Sequence, residues 1–184
     1  MEQRFGQRRF ALRAATAAAH EALEIEIGPI GSRKDYGRYL SVMAGFRGAI
    51  EAKLSTSAKG VEPFQPTTIY DCLVLDCADV GVREVAIAPT SIDCSEAARL
   101  GIAYVLEGSA LGASLLIRFA RALGYDENFG ARHLSRQVAA RSNWTAFVNY
   151  LEQRTLVNMP KAIEAANATF LLALAAAKES RHAA

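Results

Sequence analysis

Residues 104–116, YVLEGSALGASLL, decide how this chain is read. They form the pattern of an apolar helix, yet they carry two glycines four residues apart, Gly108 and Gly112. Each glycine costs about 0.5–1 kcal/mol relative to alanine inside a helix. Gly101 lies seven residues before Gly108, and at 100° per residue the three fall within about 40° of one another. One face of a long helix is thus stripped of side chains. Close packing on a neighbouring helix, a local hinge, and a flat ligand on the backbone beside Ser109 all fit this pattern. Spacing alone does not choose among them.

Outward from that stretch the helical period dominates. Asp93 with Glu96 is expected to open the long helix, over about 95–123, with Gly124 as its stop. Before it, a first helix is predicted over 8–27, closed by GPIG, and a second after the Ser32/Asp35 capping signal, with Tyr39, Val42, Met43 and Phe46 as its apolar stripe. A third follows around 69–80. Residues 81–94 contain Pro89 and have no strand partner, so they are expected to be an extended loop. Helices over 128–141, 144–154 and 160–178 complete the chain, the last with Pro160 in its first turn. The expectation is an all-α, compact helical bundle in one domain, 1–184, with a disordered tail after about residue 178.

Composition narrows the function classes. The chain has 184 residues, 51% hydrophobic and 22% charged, with a formal net charge of +2. That balance points to a globular core, with neither nucleic acid nor a membrane surface as the main partner. No uninterrupted apolar run reaches the roughly 18 residues of a membrane span. The charged start EQRFGQRR and the broken apolar segment after it give no signal-peptide pattern. Cys72, Cys77 and Cys94 are odd in number and lack metal-ligand spacing, as expected of free thiols in a reducing cytoplasm.

The first helix adds a second unusual feature. In LRAATAAAHEALE, His20 follows three alanines and lies at the edge of a stripe formed by Leu12, Thr16, Ala19 and Leu23. It has no Cys, Asp or second His at metal-ligand spacing on its helix, which argues against a multi-ligand zinc site. The alanines leave room for a bulky planar group. Arg13 points the same way about 10 Å along the axis. An imidazole and a cation so separated suit a metal macrocycle held through its metal and through its carboxylates. Heme is the obvious candidate, because one imidazole holds its iron.

Here the sequence resembles the bacterial, biliverdin-producing heme oxygenases. LRAATAAAHEALE around His20 and AYVLEGSALGASLL around Gly108 and Gly112 carry the resemblance. YGRYLSVMAGF, AIEAANATFLLAL and the order of the segments extend it over nearly the whole chain. The resemblance implies heme between the first helix and the glycine helix, with His20 as proximal ligand to the iron. Gly108 and Gly112 match the distal glycines, Arg13 a basic position facing a propionate, and Phe170 an aromatic that lines the pocket. It implies ring opening by O2 and electrons from an external donor, giving biliverdin, CO and ferrous iron. Ferredoxin, flavodoxin and a flavin reductase are candidate redox partners, and a bilin-using photoreceptor a candidate recipient. A cytoplasmic monomer is the expected working form.

One position departs from the family pattern. Many members have an aspartate after the first distal glycine, where this chain has Ser109. A hydroxyl orders water and relays protons but carries no charge. A heme-binding or heme-sensing protein without turnover is therefore the alternative, and a helical scaffold for another ligand a third. Arg141 and Arg154 are further cations near the C-terminal half, with no role assigned.

Overall fold

Helix α1 (Gln7–Ile27) ends where GPIG begins. Gly28 adopts φ 70° there, and its N–H donates to the Glu24 carbonyl at 2.9 Å. A residue without Cβ enters that backbone region at no steric cost. Ser32 then caps α2 (Arg33–Thr56): its hydroxyl accepts from the Asp35 N–H at 3.2 Å and donates to the Asp35 carboxylate at 2.6 Å. Helices α3 (Tyr70–Val80), α4 (Glu96–Ala122), α5 (Arg132–Ala139), α6 (Ser142–Gln153) and α7 (Met159–His182) follow. This computed structural model describes residues 6–56, 64–87 and 92–182. Among them there is no strand, only an isolated bridge between Asp126 and Gly130. The expected all-α class is the class observed.

Several boundaries differ from the sequence reading. Helix α5 starts at Arg132, not at 128, because the Asp126 carboxylate accepts from the N–H groups of Asn128 and Phe129 at 2.8 and 3.1 Å. Gly130, at φ 77°, completes that turn. At the head of α4, Asp93 acts one step earlier than a capping box would place it. Its carboxylate accepts from the Ser95 N–H at 2.8 Å and from the Ser95 hydroxyl at 2.7 Å. The tail expected to be disordered after about 178 instead continues α7 to His182. Ser180 is buried in it, and Arg181 pairs with Glu26 of α1. Of the loop 81–94, residues 82–87 carry no regular structure, and 88–91 lie outside the described residues.

Helix α4 is the central element. On one side Ile102 and Leu106 share a core with Phe46 and Ile50 of α2 and Ala173 and Ala176 of α7. On another, Ala113 and Ile117 join Leu40, Leu73 and Leu134. Each fully buried aliphatic side chain contributes roughly 1.5–3 kcal/mol. Counting uninterrupted runs underestimates this helix. Despite Glu107, it contains an 18-residue window of mean hydropathy 1.7, long and apolar enough by composition to cross a membrane. In this fold 56% of the window is buried, which is how a core helix uses such composition.

Helix α5 is clasped to α3 by a buried ion network. Asp76 accepts from Nδ1 of His133 at 2.8 Å and from the backbone N–H groups of His133 and Arg132 at 3.0 and 3.1 Å. Burial works against the Asp76 charge, but these hydrogen bonds outweigh it and hold the carboxyl below its ordinary range. Burial also lowers the His133 pKa, so the ring stays neutral, and its Nε2 has no partner among the described residues. Both folded-state values lie below the unfolded ones. Both contributions are therefore complete above the unfolded values and are lost on acidification, His133 from about pH 6.5 downward and Asp76 from about pH 4. Thermal unfolding between pH 8 and 5 should show Tm beginning to fall near about pH 6.5. His133→Asn, whose amide can replace the Nδ1–H donor, should flatten that step. A wild-type Tm that is constant from pH 7 to 5 would refute the assignment.

Candidate functional site

Two helices set the site from the same end of the molecule. Arg8 of α1 donates to the carbonyls of Leu151 and Arg154, each at 2.7 Å, and Arg154 pairs with Glu96 at the head of α4. Further along, α1 and α4 meet through the Tyr104 hydroxyl and Thr16. The Thr16 hydroxyl itself donates to the Leu12 carbonyl at 2.8 Å. Four residues beyond this contact, α1 carries His20 and α4 carries Gly108.

The glycine face of α4 changes character along its length. A Cβ at Gly101 would stand 1.9 Å from the Ala162 carbonyl oxygen of α7, so there the backbones touch. At Gly108 it would meet only the Trp144 ring, at 3.6 Å, and at Gly112 nothing within 4 Å. Helix packing explains the first glycine and leaves the other two unexplained. Beyond them Leu111, Leu115 and Phe119 are 46%, 55% and 42% exposed. At 100° per residue, Leu115 and Phe119 fall within about 20° of Gly108. Large apolar side chains grouped in water mark a face that something covers.

His20 faces solvent, with its side chain 56% exposed. Its Nδ1 lies 3.5 Å from the Glu24 carboxylate one turn on. The ring meets Phe170 edge-on, with centroids 5.6 Å apart and planes at 74°. Phe170 is buried on α7, which is tied to α1 where Asn167 donates to the Ala15 carbonyl at 3.3 Å. The fold thus brings His20 and Phe170 together from opposite ends of the chain. Arg13 is exposed two turns before His20. Burial pushes the Tyr104 phenol up, while the Thr16 hydrogen bond and the charges of Arg13 and Arg9 pull it back down. Tyr104, Arg13 and Arg9 therefore form one electropositive corner. Arg154 is committed elsewhere, to Glu96 and to the Tyr150 hydroxyl at 2.8 Å.

Ser109 lies at the edge of the glycine face and is exposed. Its hydroxyl donates to the Leu106 carbonyl at 2.7 Å and accepts from Nε2 of the buried Gln137 at 3.0 Å. Two residues back, Glu107 is buried and accepts from the Thr67 backbone N–H and, at 3.3 Å, from its hydroxyl. That anchors α4 immediately before its open glycines.

The arrangement offers an imidazole, an apolar wall without side chains, and a cationic corner. Among the described residues no three His, Cys, Asp or Glu side chains cluster as metal ligands. Sequence reading missed Tyr104, Leu115, Phe119 and Gln137. The first three share the Gly108 face at helical spacing and could have been found by extending that projection. Gln137 left no such signal, because only the packing of α5 on α4 puts it beside Ser109.

No family model matches the chain. Among curated proteins it is 33% identical over 145 residues to heme oxygenase PigA of Pseudomonas aeruginosa, covering 74% of this chain and 73% of the relative. Among solved structures it resembles the NO- and CO-bound heme oxygenase from Neisseria meningitidis. There the TM-score is 0.69 at 28% identity, covering 93% of this chain and 91% of that one.

Proposed function

Because the chain belongs to the heme oxygenase family, we propose that heme lies between α1 and α4 of this protein, held by His20 and overlain by Gly108 and Gly112. The observation that carries this reading is the α4 face that closes on α7 at Gly101 and is open at Gly112. The residues suit the ligand. An imidazole supplies one ligand to iron, the bare backbone admits a flat ring, and Leu115, Phe119 and Phe170 match its apolar faces. Heme is the substrate: it supplies the iron that activates O2 and the ring that is opened to biliverdin, CO and ferrous iron.

The protein's own residues bind, orient and exclude water. Glu24, 3.5 Å from Nδ1 of His20, favours the tautomer with the proton on that nitrogen and leaves Nε2 for the metal. Arg13, Arg9 and Tyr104 supply charge and a phenol for the propionates. Leu111, Leu115 and Phe119 would lose their exposure to water under the ring. Ser109 takes the place of the usual distal aspartate and orders water beside the glycines. O2, an external electron donor such as a ferredoxin, flavodoxin or flavin reductase, a cytoplasmic setting and a monomeric working form complete this reading. A bilin-using photoreceptor is one recipient the product would suit.

The test is a heme titration of the purified protein followed by absorbance, then reduction under air. A Soret band saturating at one heme per chain and decaying as bilin absorbance rises supports the proposal. A band that survives reduction in air indicates a heme carrier or sensor, and no saturable band overturns the site. Ser109→Ala should bind heme normally but turn over about tenfold more slowly, the scale of one lost hydrogen bond. Ser109→Asp, which still accepts from Gln137, should turn over at least as fast as wild type. A Ser109→Ala protein of undiminished activity would show that the distal water is organised elsewhere.

A further inference from the structure

Resting on that reading of the site, we propose that Gln137 is a positioning residue that fixes the direction of the Ser109 hydroxyl, so that the distal edge offers a hydrogen-bond acceptor and no donor. A serine hydroxyl has one proton and two lone pairs. The Ser109 proton is committed to the Leu106 carbonyl at 2.7 Å. One lone pair is taken by Nε2 of Gln137 at 3.0 Å. An amide NH2 only donates, so it forbids the rotamer in which the hydroxyl proton points towards α5. Gln137 is buried on α5, so its amide donor is shielded from water. The second lone pair is all that Ser109 has left.

That remainder has a defined polarity. Ser109 is exposed about 60° around α4 from Gly112. A water bound to the free lone pair gives one hydrogen to Ser109 and turns its other hydrogen outward, available to a group at the glycine face. An ionised aspartate is also acceptor-only and orients water in the same sense. Gln137 therefore lets a neutral serine act with the polarity of a carboxylate. Without it the hydroxyl could swing its proton towards the heme side and reverse the water.

The test is a double-mutant cycle on the full chain, with Gln137→Glu, Gln137→Leu and Ser109→Ala. The glutamate carboxylate would accept from Ser109 and reverse its direction, and the leucine would release it. Gln137→Glu should slow turnover about tenfold and move the pH midpoint of the ferric heme spectrum by about one unit. Gln137→Leu should do less of both. In the Ser109→Ala background neither change at Gln137 should have further effect, which a packing role would not produce. In the ligand-free wild type, the Gln137 side-chain amide proton should resonate downfield and exchange slowly, and Ser109→Ala should abolish both signatures.

Effects at Gln137 that persist without the Ser109 hydroxyl overturn the proposal, as does a Gln137 amide at its random-coil position. These leave heme binding intact. A missing Soret band instead overturns the heme reading, and this inference with it, while the 109–137 hydrogen bond stays measurable in the ligand-free protein.

Discussion

His20→Ala should abolish normal heme ligation while leaving the helical fold intact. The side chain is 56% exposed, its polar neighbour Glu24 is 3.5 Å away, and its remaining ring contact is the edge of Phe170. Little of the fold's stability rests on such a residue, so the change in unfolding free energy should stay within about 0.5 kcal/mol. Heme affinity should fall at least about a hundredfold, roughly 3 kcal/mol, because the imidazole is the iron ligand this reading assigns. Circular dichroism and a Soret titration together give the answer. An unchanged heme spectrum with a wild-type fold would remove His20 from the site.

Glycine substitutions along α4 should separate packing from binding. Gly101→Ala should destabilise the fold by about 1–3 kcal/mol or more, since the new methyl would sit 1.9 Å from the Ala162 carbonyl and backbone must move to admit it. In a chain of this size that lowers Tm by roughly 2–4 °C per kcal/mol. Gly112→Leu should behave in the opposite way. Nothing lies within 4 Å of its Cβ, and losing a helix-interior glycine stabilises by roughly 0.5–1 kcal/mol. Its Tm should hold or rise, while heme binding weakens by about a hundredfold because the side chain fills the ligand's place. If Gly112→Leu unfolds the protein and still binds heme when folded, the open face of α4 is not the ligand's.

The helices and the two motif-bearing segments were legible in the sequence because they depend on local chemistry. The apolar period over 104–116, the Ser32/Asp35 cap and the Gly28 stop act within one or two turns. The boundaries that were misplaced depend on contacts from farther along the chain or on a competing local turn. Asp126 held Asn128 and Phe129 outside α5, and Arg181 reached Glu26 to keep the end of α7 in place.

The candidate site divides in the same way. His20, Gly108, Gly112 and the departure at Ser109 stand out from sequence, because side-chain chemistry and helical spacing are written in the residues themselves. Three glycines on one face look alike in that projection. Only the tertiary structure gave them different roles, because α7 presses on α4 at Gly101 and has left it by Gly112. The pairing of His20 with Phe170, the joining of Thr16 to Tyr104 and the reach of Gln137 to Ser109 were likewise decided by packing. The sequence determined which chemistry each helix carries. Which of those groups meet was set by how the helices bury their apolar faces against one another, a property of the whole chain.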